Sequence, residues 1–220
     1  MRPVIVSWSG GKDSALALYE ILASTKYEVK TLFTTLSIEY ERVSMHGIRK
    51  ELLLKQTKSL SLHLRIISLP KDTSNATYAN IMKKEMSIYK SQGIEYVAFG
   101  DIFLEDIRSY REENLKKLNM EAVFPLWGKD SLKLAHKFIN LGFKAIVTSI
   151  DIKYLPKTFV GKNFNEDFLN NLPKNVDPCG ENGEFHTFVY DGPLFSFPIR
   201  FQSGKTVLRD QRFYFLDLIF

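Results

Sequence analysis

Apolar residues in the first 150 positions fall into short runs that alternate with longer segments of helical spacing. Short runs rich in Val, Ile and Phe predict buried strands, whereas apolar positions three or four residues apart predict amphipathic helices. Such alternation is typical of a parallel sheet that is covered by helices on both faces. The pattern therefore predicts an α/β fold with a doubly wound parallel sheet.

The same pattern predicts the bounds of the individual elements. Strands are predicted at 3–8, 29–37, 64–69, 96–101 and 122–125, and helices at 14–24, 47–60, 76–92, 106–118 and 130–141. A further strand is predicted at 143–149, directly after a turn at Gly142. Element ends that are placed from pattern alone carry an error of about two to four residues.

The amino-acid composition of the chain changes after residue 150. Asn, Gly and Pro become frequent there, and two apolar pieces, 198–202 and 213–220, have the composition of strands. We interpret residues 1–150 as one domain and residues 151–220 as a smaller α+β region.

Composition and charge narrow the class of protein. No apolar run approaches the ~20 residues of a membrane helix, and Gly10 comes too early for the apolar segment of a signal peptide. The single cysteine, Cys179, excludes an intramolecular disulfide and a CxxC pair. We therefore expect a cytoplasmic protein without a membrane partner. The net charge of +5 is spread along the chain, so a nucleic-acid partner is not expected.

The most informative stretch is SGGKDS, residues 9–14, between the first predicted strand and the first predicted helix. Glycines allow successive backbone N–H groups to point into one concavity, and the new helix adds positive potential at the same place. Lys12 adds a charge and the serines add hydroxyl donors, so the stretch fits a phosphate. A glycine turn with an ordinary cap at Asp13 or Ser14 is the alternative.

SGGKDS resembles the PP-loop of the N-type ATP pyrophosphatases, whose fold is of the adenine nucleotide α-hydrolase (HUP) type. The resemblance implies binding of ATP with Mg²⁺ and cleavage between the α and β phosphates. The residues that it assigns to the phosphates are Ser9, Gly10, Gly11, Lys12, Asp13 and Ser14.

Three further segments are predicted to reach the same edge of the sheet. In a doubly wound sheet the ligand lies across the carboxyl ends of the strands, where the strand order reverses. Thr34 ends the second strand, His46 precedes the second helix, and Gly100 and Asp101 end the fourth strand. We predict that these residues contact the nucleotide, with a surface cap as the alternative for His46 and a capping role as the alternative for Asp101.

A second polar stretch, DPCGENGEFHTFV, covers residues 177–189. Carboxylates there can hold a cationic group or ammonium, and His186 can move a proton near neutral pH. The alternative is a glycine-rich hairpin with polar tips. On the first interpretation, the substrate contacts come from Glu181, Asn182, Glu184, His186 and Thr187.

The run GENGEFHTFVYDGPLF, residues 180–195, is similar to the C-terminal signature of the diphthine–ammonia ligase family. With SGGKDS and FPLW at residues 124–127, the resemblance extends over nearly the whole chain. It implies ATP-dependent amidation, in which the carboxylate of diphthine on elongation factor 2 is adenylated and ammonia displaces AMP. On this basis the predicted catalytic residues are Lys12, Asp13, Glu184 and His186.

The acceptor, the class of activity and the oligomeric state have alternatives that the sequence leaves open. His186 stands where diphthamide-forming members carry Glu, and a histidine can reverse the local charge below pH ~6.5, so the acceptor can differ. A PP-loop enzyme acting on RNA and a non-enzymatic nucleotide-binding protein are the alternatives, although a lone Cys179 disfavours thiolation. The chain has no glutaminase signature, so free ammonia is expected, and a homodimer is compatible with the sequence.

Overall fold

The computed structural model describes residues 1–43, 46–71 and 73–220. The strands in these ranges are β1 Arg2–Ser7, β2 Tyr27–Ser37, β3 Arg42–Val43, β4 Leu64–Leu69, β5 Tyr96–Ala98, β6 Glu121–Val123, β7 Lys144–Asp151, β8 Phe185–Asp191, β9 Gln202–Arg209 and β10 Phe213–Ile219. The helices are α1 Lys12–Ala23, α2 Lys50–Ser59, α3 Asn75–Ser91, α4 Glu105–Lys116, α5 Ser131–Asn140 and α6 Glu166–Asn170, with a 3-10 turn at Lys157–Phe159.

The first sheet is the predicted parallel sheet. Its parallel strands lie in the order β4-β2-β1-β5-β6, and β3 adds a short antiparallel pairing at the end of β2. The chain first builds outward from β1 to β4 and then crosses to β5 on the other side of β1. Ligands of doubly wound sheets bind at such a reversal. The predicted fold class is therefore confirmed.

Helices cover both faces of this sheet, as predicted. Val4 and Val6 of β1 belong to the apolar cluster that contains residues of α1, α2 and α5. Ile5, between them, belongs to a second cluster with residues of α3 and α4. This division follows from the two-residue period of a strand, which sends successive side chains to opposite faces.

The second sheet is antiparallel, with the strand order β8-β7-β10-β9. The strand predicted at 143–149 is β7, and it pairs in this sheet and not in the parallel one, so the second sheet begins before residue 150. The domain division at residue 150 itself stays a prediction. Phe185 and Phe188 of β8 join the same cluster as α1. The edge strand β8 is therefore held against the start of α1.

Agreement with the predicted elements is good in the parallel sheet and mixed after it. The five strands and five helices predicted for the parallel sheet and its cover begin and end within three residues of the observed ones, and the strands predicted at 143–149 and 213–220 correspond to β7 and β10. The strand predicted at 198–202 is wrong, because β9 begins only at Gln202. Most residues of β9 are exposed, so its sequence lacks the apolar run by which a buried strand is detected. Among the described residues, no helix is long and apolar enough to cross a membrane.

Candidate active site

A cavity of about 570 Å³ opens at the carboxyl ends of β1, β2 and β5. Its walls come from the loop after β1, the end of β2, the loop after β5, helices α3 and α4, and the loop before β8. The position is the one that the strand order predicts for a ligand. Its volume lies in the range of ~300–1,000 Å³ that is usual for small-molecule sites.

The cavity brings together residues that were predicted from separate parts of the sequence. Those that line it are Ser9, Asp13, Ser14, Thr34, His46, Gly100, Asp101, Glu181, Asn182 and His186. The other predicted residues lie behind its wall, and they are Gly10, Gly11, Lys12, Glu184 and Thr187. The predicted set therefore divides into side chains that face the cavity and side chains that hold the facing loops.

The first loop, residues 9–14, presents unused backbone donors at the start of α1. The first N–H groups of a helix have no partner within the helix. Gly11 N–H donates to Ser9 Oγ at 3.3 Å and Lys12 N–H donates to Thr187 Oγ1 at 3.0 Å. The N–H groups of Asp13 and Ser14 have no acceptor outside the helix among the described residues. Two N–H donors beside the hydroxyls of Ser9 and Ser14 suit an anion.

Two glycines are required by the close approach of the backbone at this loop. Gly10 has a φ of +79°, and a Cβ there would lie 2.8 Å from Gln56 Oε1. A Cβ on Gly100, after β5, would lie 2.9 Å from the carbonyl carbon of Asp13. Any larger side chain at Gly100 would therefore displace the peptide that carries the Ser14 N–H donor.

The loop is fixed to β8 by Gln56, a buried residue of α2 to which sequence reasoning gave no role. Its amide donates to the carbonyl of Gly10 at 3.0 Å and to the carbonyl of Val189 at 2.6 Å, and its Oε1 accepts from Trp8 at 3.0 Å. Val189 N–H donates to the carbonyl of Gly10 at 2.9 Å. The first loop is therefore hydrogen-bonded to β8, an edge strand of the second sheet.

Lys12 is buried, and its ammonium points away from the cavity. It donates to both carboxylate oxygens of Asp13, at 2.8 and 2.9 Å, and to the carbonyl of Cys179. The ammonium also lies 5.3 Å from the ring centre of Phe185, a favourable cation–π distance. Burial opposes its charge, but Asp13, Cys179 and Glu181 together outweigh burial, so the pKa of Lys12 is raised. Lys12 therefore compensates the charge of Asp13, which faces the cavity.

The second loop, residues 177–184, is held together by its own carboxylates. Asp177 Oδ2 accepts from the N–H groups of Cys179 and Glu181, both at 3.0 Å. Glu184 Oε1 accepts from the N–H of Asp177 at 3.0 Å and from the side-chain amide of Asn182 at 2.9 Å. Glu184 is 1% exposed and does not line the cavity. The geometry of Glu184 is that of a residue that closes the loop.

Glu181 has the opposite environment, although it is only three residues away. Its carboxylate lines the cavity and accepts from the N–H of Ile102 at 2.7 Å. Burial raises the pKa of the Glu181 carboxyl to about 7. A carboxyl that titrates near neutral pH and faces a cavity can exchange a proton with a bound ligand.

His46 and His186 form a partly buried pair at the cavity, with ring centres 4.5 Å apart. His46 Nδ1 lies 3.3 Å from the carbonyl of Thr187, and His186 Nε2 is buried without a partner among the described residues. Burial lowers the pKa of His46 to about 4 and the pKa of His186 well below its usual value. The expectation that His186 reverses the local charge below pH ~6.5 is therefore wrong, because the imidazole is held neutral.

Arg111 is a cavity residue that sequence reasoning missed. Its guanidinium donates to both oxygens of Asp101, at 2.7 and 3.1 Å, and lies 4.2 Å from the ring centre of Phe99. Asp101 therefore faces the cavity as half of an ion pair. Arg111 belongs to α4, whose many charged residues have the pattern of a solvated helix, so no signal in the sequence marks it.

The donor set fits a magnesium ion that arrives with a nucleotide. In the described part of the chain, no three His, Cys, Asp or Glu side chains are grouped to hold a metal ion alone. Mg²⁺ usually keeps several waters and is bound through one or two carboxylates together with substrate phosphates. Asp13 supplies one such carboxylate beside the free N–H groups of the first loop.

Cys179 is placed as a packing residue. It is 3% exposed, and its thiol lies 3.3 Å from the carbonyl of Ser131. Burial raises the pKa of the Cys179 thiol to about 12. Since only the thiolate is a good nucleophile, this environment is that of an inert cysteine.

Known proteins resemble the chain over most of its length. Curated relatives from Bos taurus and Homo sapiens, each named diphthine–ammonia ligase, are 27% and 26% identical over 90% and 91% of this chain, and the matches cover 82% and 83% of the relatives. The relative of the same name from Schizosaccharomyces pombe is 28% identical over 85% of this chain and 34% of its own length. These names confirm the predicted enzyme class, a ligase.

Among solved structures, the U34-tRNA thiolase of Methanococcus maripaludis, solved with its [4Fe-4S] cluster, aligns at 18% identity over 64% of this chain and 57% of its own, with a TM-score of 0.38. Family models give a more complete match. The diphthamide synthase N-terminal domain matches residues 1–122, and the diphthamide synthase C-terminal domain matches residues 130–217. The chain therefore belongs to the diphthamide synthase family.

Proposed function

We propose that the chain is an ATP-dependent amide-forming ligase that adenylates a carboxylate and amidates it with ammonia, releasing AMP and pyrophosphate. The proposed acceptor is diphthine on elongation factor 2, and the proposed compartment is the cytoplasm. Support comes from the family and from the ligase names of the relatives. We assign ATP binding to residues 1–150 and acceptor binding to residues 151–220.

One observation carries the proposal: two loops of opposite chemistry face each other across a single cavity. The first loop offers N–H and hydroxyl donors for phosphates, from Asp13, Ser14 and Ser9. The second loop and β8 offer proton-accepting groups, from Glu181 and His186. A ligase that joins a nucleotide-activated carboxylate to ammonia needs both kinds of group within one enclosed space.

In the first step, an oxygen of the acceptor carboxylate attacks the α-phosphorus of ATP, and the bond to the β-phosphate oxygen breaks. The donors of Ser9 and Ser14 would hold the departing pyrophosphate, because they stabilise charge where it develops. Mg²⁺ bound with ATP would be held by Asp13 and would neutralise phosphate charge. The ammonium of Lys12, which does not line the cavity, compensates the negative charge of the Asp13 carboxylate.

In the second step, ammonia attacks the carbonyl carbon of the acyl adenylate, the C–N bond forms, and the C–O bond to AMP breaks. The nitrogen must lose a proton as the bond forms. Nε2 of His186 is buried without a partner among the described residues and lies at the cavity, so it can accept that proton. Ammonium that enters the cavity must first lose a proton to become the attacking ammonia, and the carboxylate of Glu181, whose pKa is raised to about 7, can accept that one.

The test is the identity of the nucleotide product. We would incubate the protein with magnesium-ATP, ammonium and elongation factor 2 that bears diphthine, and separate the nucleotides by chromatography. The expected result is AMP that requires both ammonium and the acceptor. Formation of ADP, or of AMP at the same rate without any acceptor, would contradict the proposal.

A further inference from the structure

A second cavity, of about 560 Å³, lies between the end of β2 and the face of β9 and β10. We call it the basic groove. Its lining includes Arg42, Lys71, Lys205, Val207, Arg209 and Phe215. None of the chemistry described above uses these side chains.

The basic groove adjoins the candidate active site. Val43 lines both cavities. On β2, Thr35 lines the active-site cavity and Ser37 lines the groove. After β3, His46 lines the active-site cavity and the next residue, Gly47, lines the groove. A chain that lies in the groove can therefore present a side chain to the active-site cavity.

The charge of the groove is positive. Arg42, Lys71, Lys205 and Arg209 line it, and the acid in the lining, among the described residues, is Asp217. Asp217 already accepts from Arg42 at 2.8 Å and from Arg49 at 2.7 Å, and hydrogen bonding to Arg49 lowers its pKa to about 2. Lys71 Nζ lies 3.2 Å from Oε1 of Glu39, which is not part of the lining. Lys205 and Arg209 on β9 therefore give the groove a complementary charge for an acidic ligand.

The groove also offers features that suit a polypeptide. Val207, which lines the groove, is 41% exposed, so apolar contact area accompanies the charge. Strand β9 is an edge strand that pairs with β10, and its outer edge has no strand partner among the described residues. An open edge can accept an extended peptide through backbone hydrogen bonds.

We propose that the basic groove binds an acidic polypeptide segment of the acceptor protein, next to the residue whose carboxylate enters the active site. The inference rests on the proposed function, since it assumes an acceptor carried by a protein. Single-stranded RNA fits less well, because it needs open aromatic faces for base stacking. Here the guanidinium of Arg209 covers Tyr40 at 5.1 Å and Phe215 at 5.8 Å from the ring centres.

The test reverses the charge of two exposed residues of β9 in the variant Lys205→Glu/Arg209→Glu. The matched control, Lys116→Glu/Lys133→Glu, makes the same change of charge on α4 and α5, away from both cavities. For the first variant we expect KM for diphthine-bearing elongation factor 2 to rise at least ~10-fold, with KM for ATP within about twofold of the wild-type value. The control should change neither by more than about twofold.

Binding of fluorescently labelled poly-L-glutamate, followed by anisotropy, gives a readout that is independent of turnover. We expect the wild type and the control to bind it in a salt-dependent manner and the β9 variant to bind at least ~10-fold more weakly. Equal binding by all three proteins, or an unchanged KM for the acceptor, would overturn the groove proposal. Binding of bulk tRNA that is lost in the β9 variant, with KM for the acceptor unchanged, would overturn it in favour of RNA.

The two proposals fail in different ways. A wild-type protein that forms no AMP with the acceptor would refute the proposed function, whereas the poly-L-glutamate result would still report on the groove. Normal AMP formation with an unaltered KM in the β9 variant would refute the groove alone.

Discussion

The two loops that face each other across the candidate active site are held in different ways. The first loop, residues 9–14, is fixed largely from outside, by Gln56, Thr187 and Val189. The second loop, residues 177–184, is fixed largely from within, by the carboxylates of Asp177 and Glu184. The first loop therefore depends on α2 and β8 for its shape, and the second loop has its own support.

This difference separates residues that the sequence presents as equivalent. Glu181 and Glu184 are both acids beside glycines, yet Glu181 faces the cavity, whereas Glu184 is buried and accepts from the N–H of Asp177 and the side-chain amide of Asn182. Lys12 and Asp13 are neighbours, yet the ammonium supports the loop and the carboxylate faces the cavity. Facing residues should affect turnover, whereas enclosed residues should affect both turnover and the stability of the fold.

The largest effect is expected for Glu184→Ala, which removes the acceptor of the N–H of Asp177 and of the exposed side-chain amide of Asn182. Water can pair the Asn182 amide, whereas an unsatisfied backbone donor costs ~1–3 kcal/mol, so the free energy of unfolding should fall by up to about 3 kcal/mol in urea titrations. The matched variant Glu181→Gln keeps an acceptor for Ile102 and should lose less than about 1 kcal/mol. Equal losses in the two variants would contradict the division between facing and enclosed acids.

The next effect is expected for Lys12→Met, which removes the cation but keeps the length of the side chain. Asp13 would then present an uncompensated negative charge to the phosphates of ATP. AMP formation should fall about 100-fold, which corresponds to about 2.7 kcal/mol. Lys133→Met, on the exposed face of α5, serves as the control and should retain full activity. A loss of less than about threefold in Lys12→Met would show that Asp13 needs no compensation.

A smaller effect is expected for the pH dependence of the unfolding free energy, which involves the pair His46 and His186. The pKa of His46 is about 4 in the folded chain and about 6.5 when unfolded, so the unfolded state binds more protons between these values. Stability from neutral His46 is therefore complete above pH ~6.5 and is lost as pH falls toward ~4.

Glu181, whose pKa is raised to about 7, acts in the opposite direction, so the comparison requires a variant. The stability difference between the wild type and His46→Asn should shrink by roughly 2 kcal/mol between pH ~6.5 and pH ~5. Urea unfolding of both proteins across this range would measure it. A difference that stays constant with pH would mean that the pKa of His46 is not lowered in the folded chain.

The smallest effect is expected for Thr187→Val, which removes the acceptor of the Lys12 N–H at the junction of the two regions. The loss should be about 1 kcal/mol of unfolding free energy, since one backbone donor becomes unpaired. Thr187→Ser keeps the hydroxyl and should match the wild type in thermal unfolding. If Thr187→Ser loses stability and Thr187→Val does not, packing of the methyl group and not the hydrogen bond joins β8 to the first loop.

Local pattern was sufficient to predict the parallel sheet and the position of the cavity. Buried parallel strands are continuous apolar runs, and SGGKDS marks where the first of them ends. The edge strand β9 and the cavity residue Arg111 could not be predicted, because exposed strands and charged helices carry no such run. Nor could sequence spacing tell Glu181 from Glu184, since their different burial depends on long-range contacts with Ile102 and on the closing of the second loop.

The path of one oxygen atom shows whether the acceptor carboxylate is adenylated. If the acceptor carboxylate attacks the α-phosphorus of ATP, one of its oxygens must leave with AMP when ammonia forms the amide. We would label the diphthine carboxylate with ¹⁸O, run a single round of amidation, and weigh the AMP by mass spectrometry. The account predicts AMP that carries one ¹⁸O. Unlabelled AMP beside an amidated acceptor, or label recovered in inorganic phosphate, would show that the cavity does not adenylate the carboxylate.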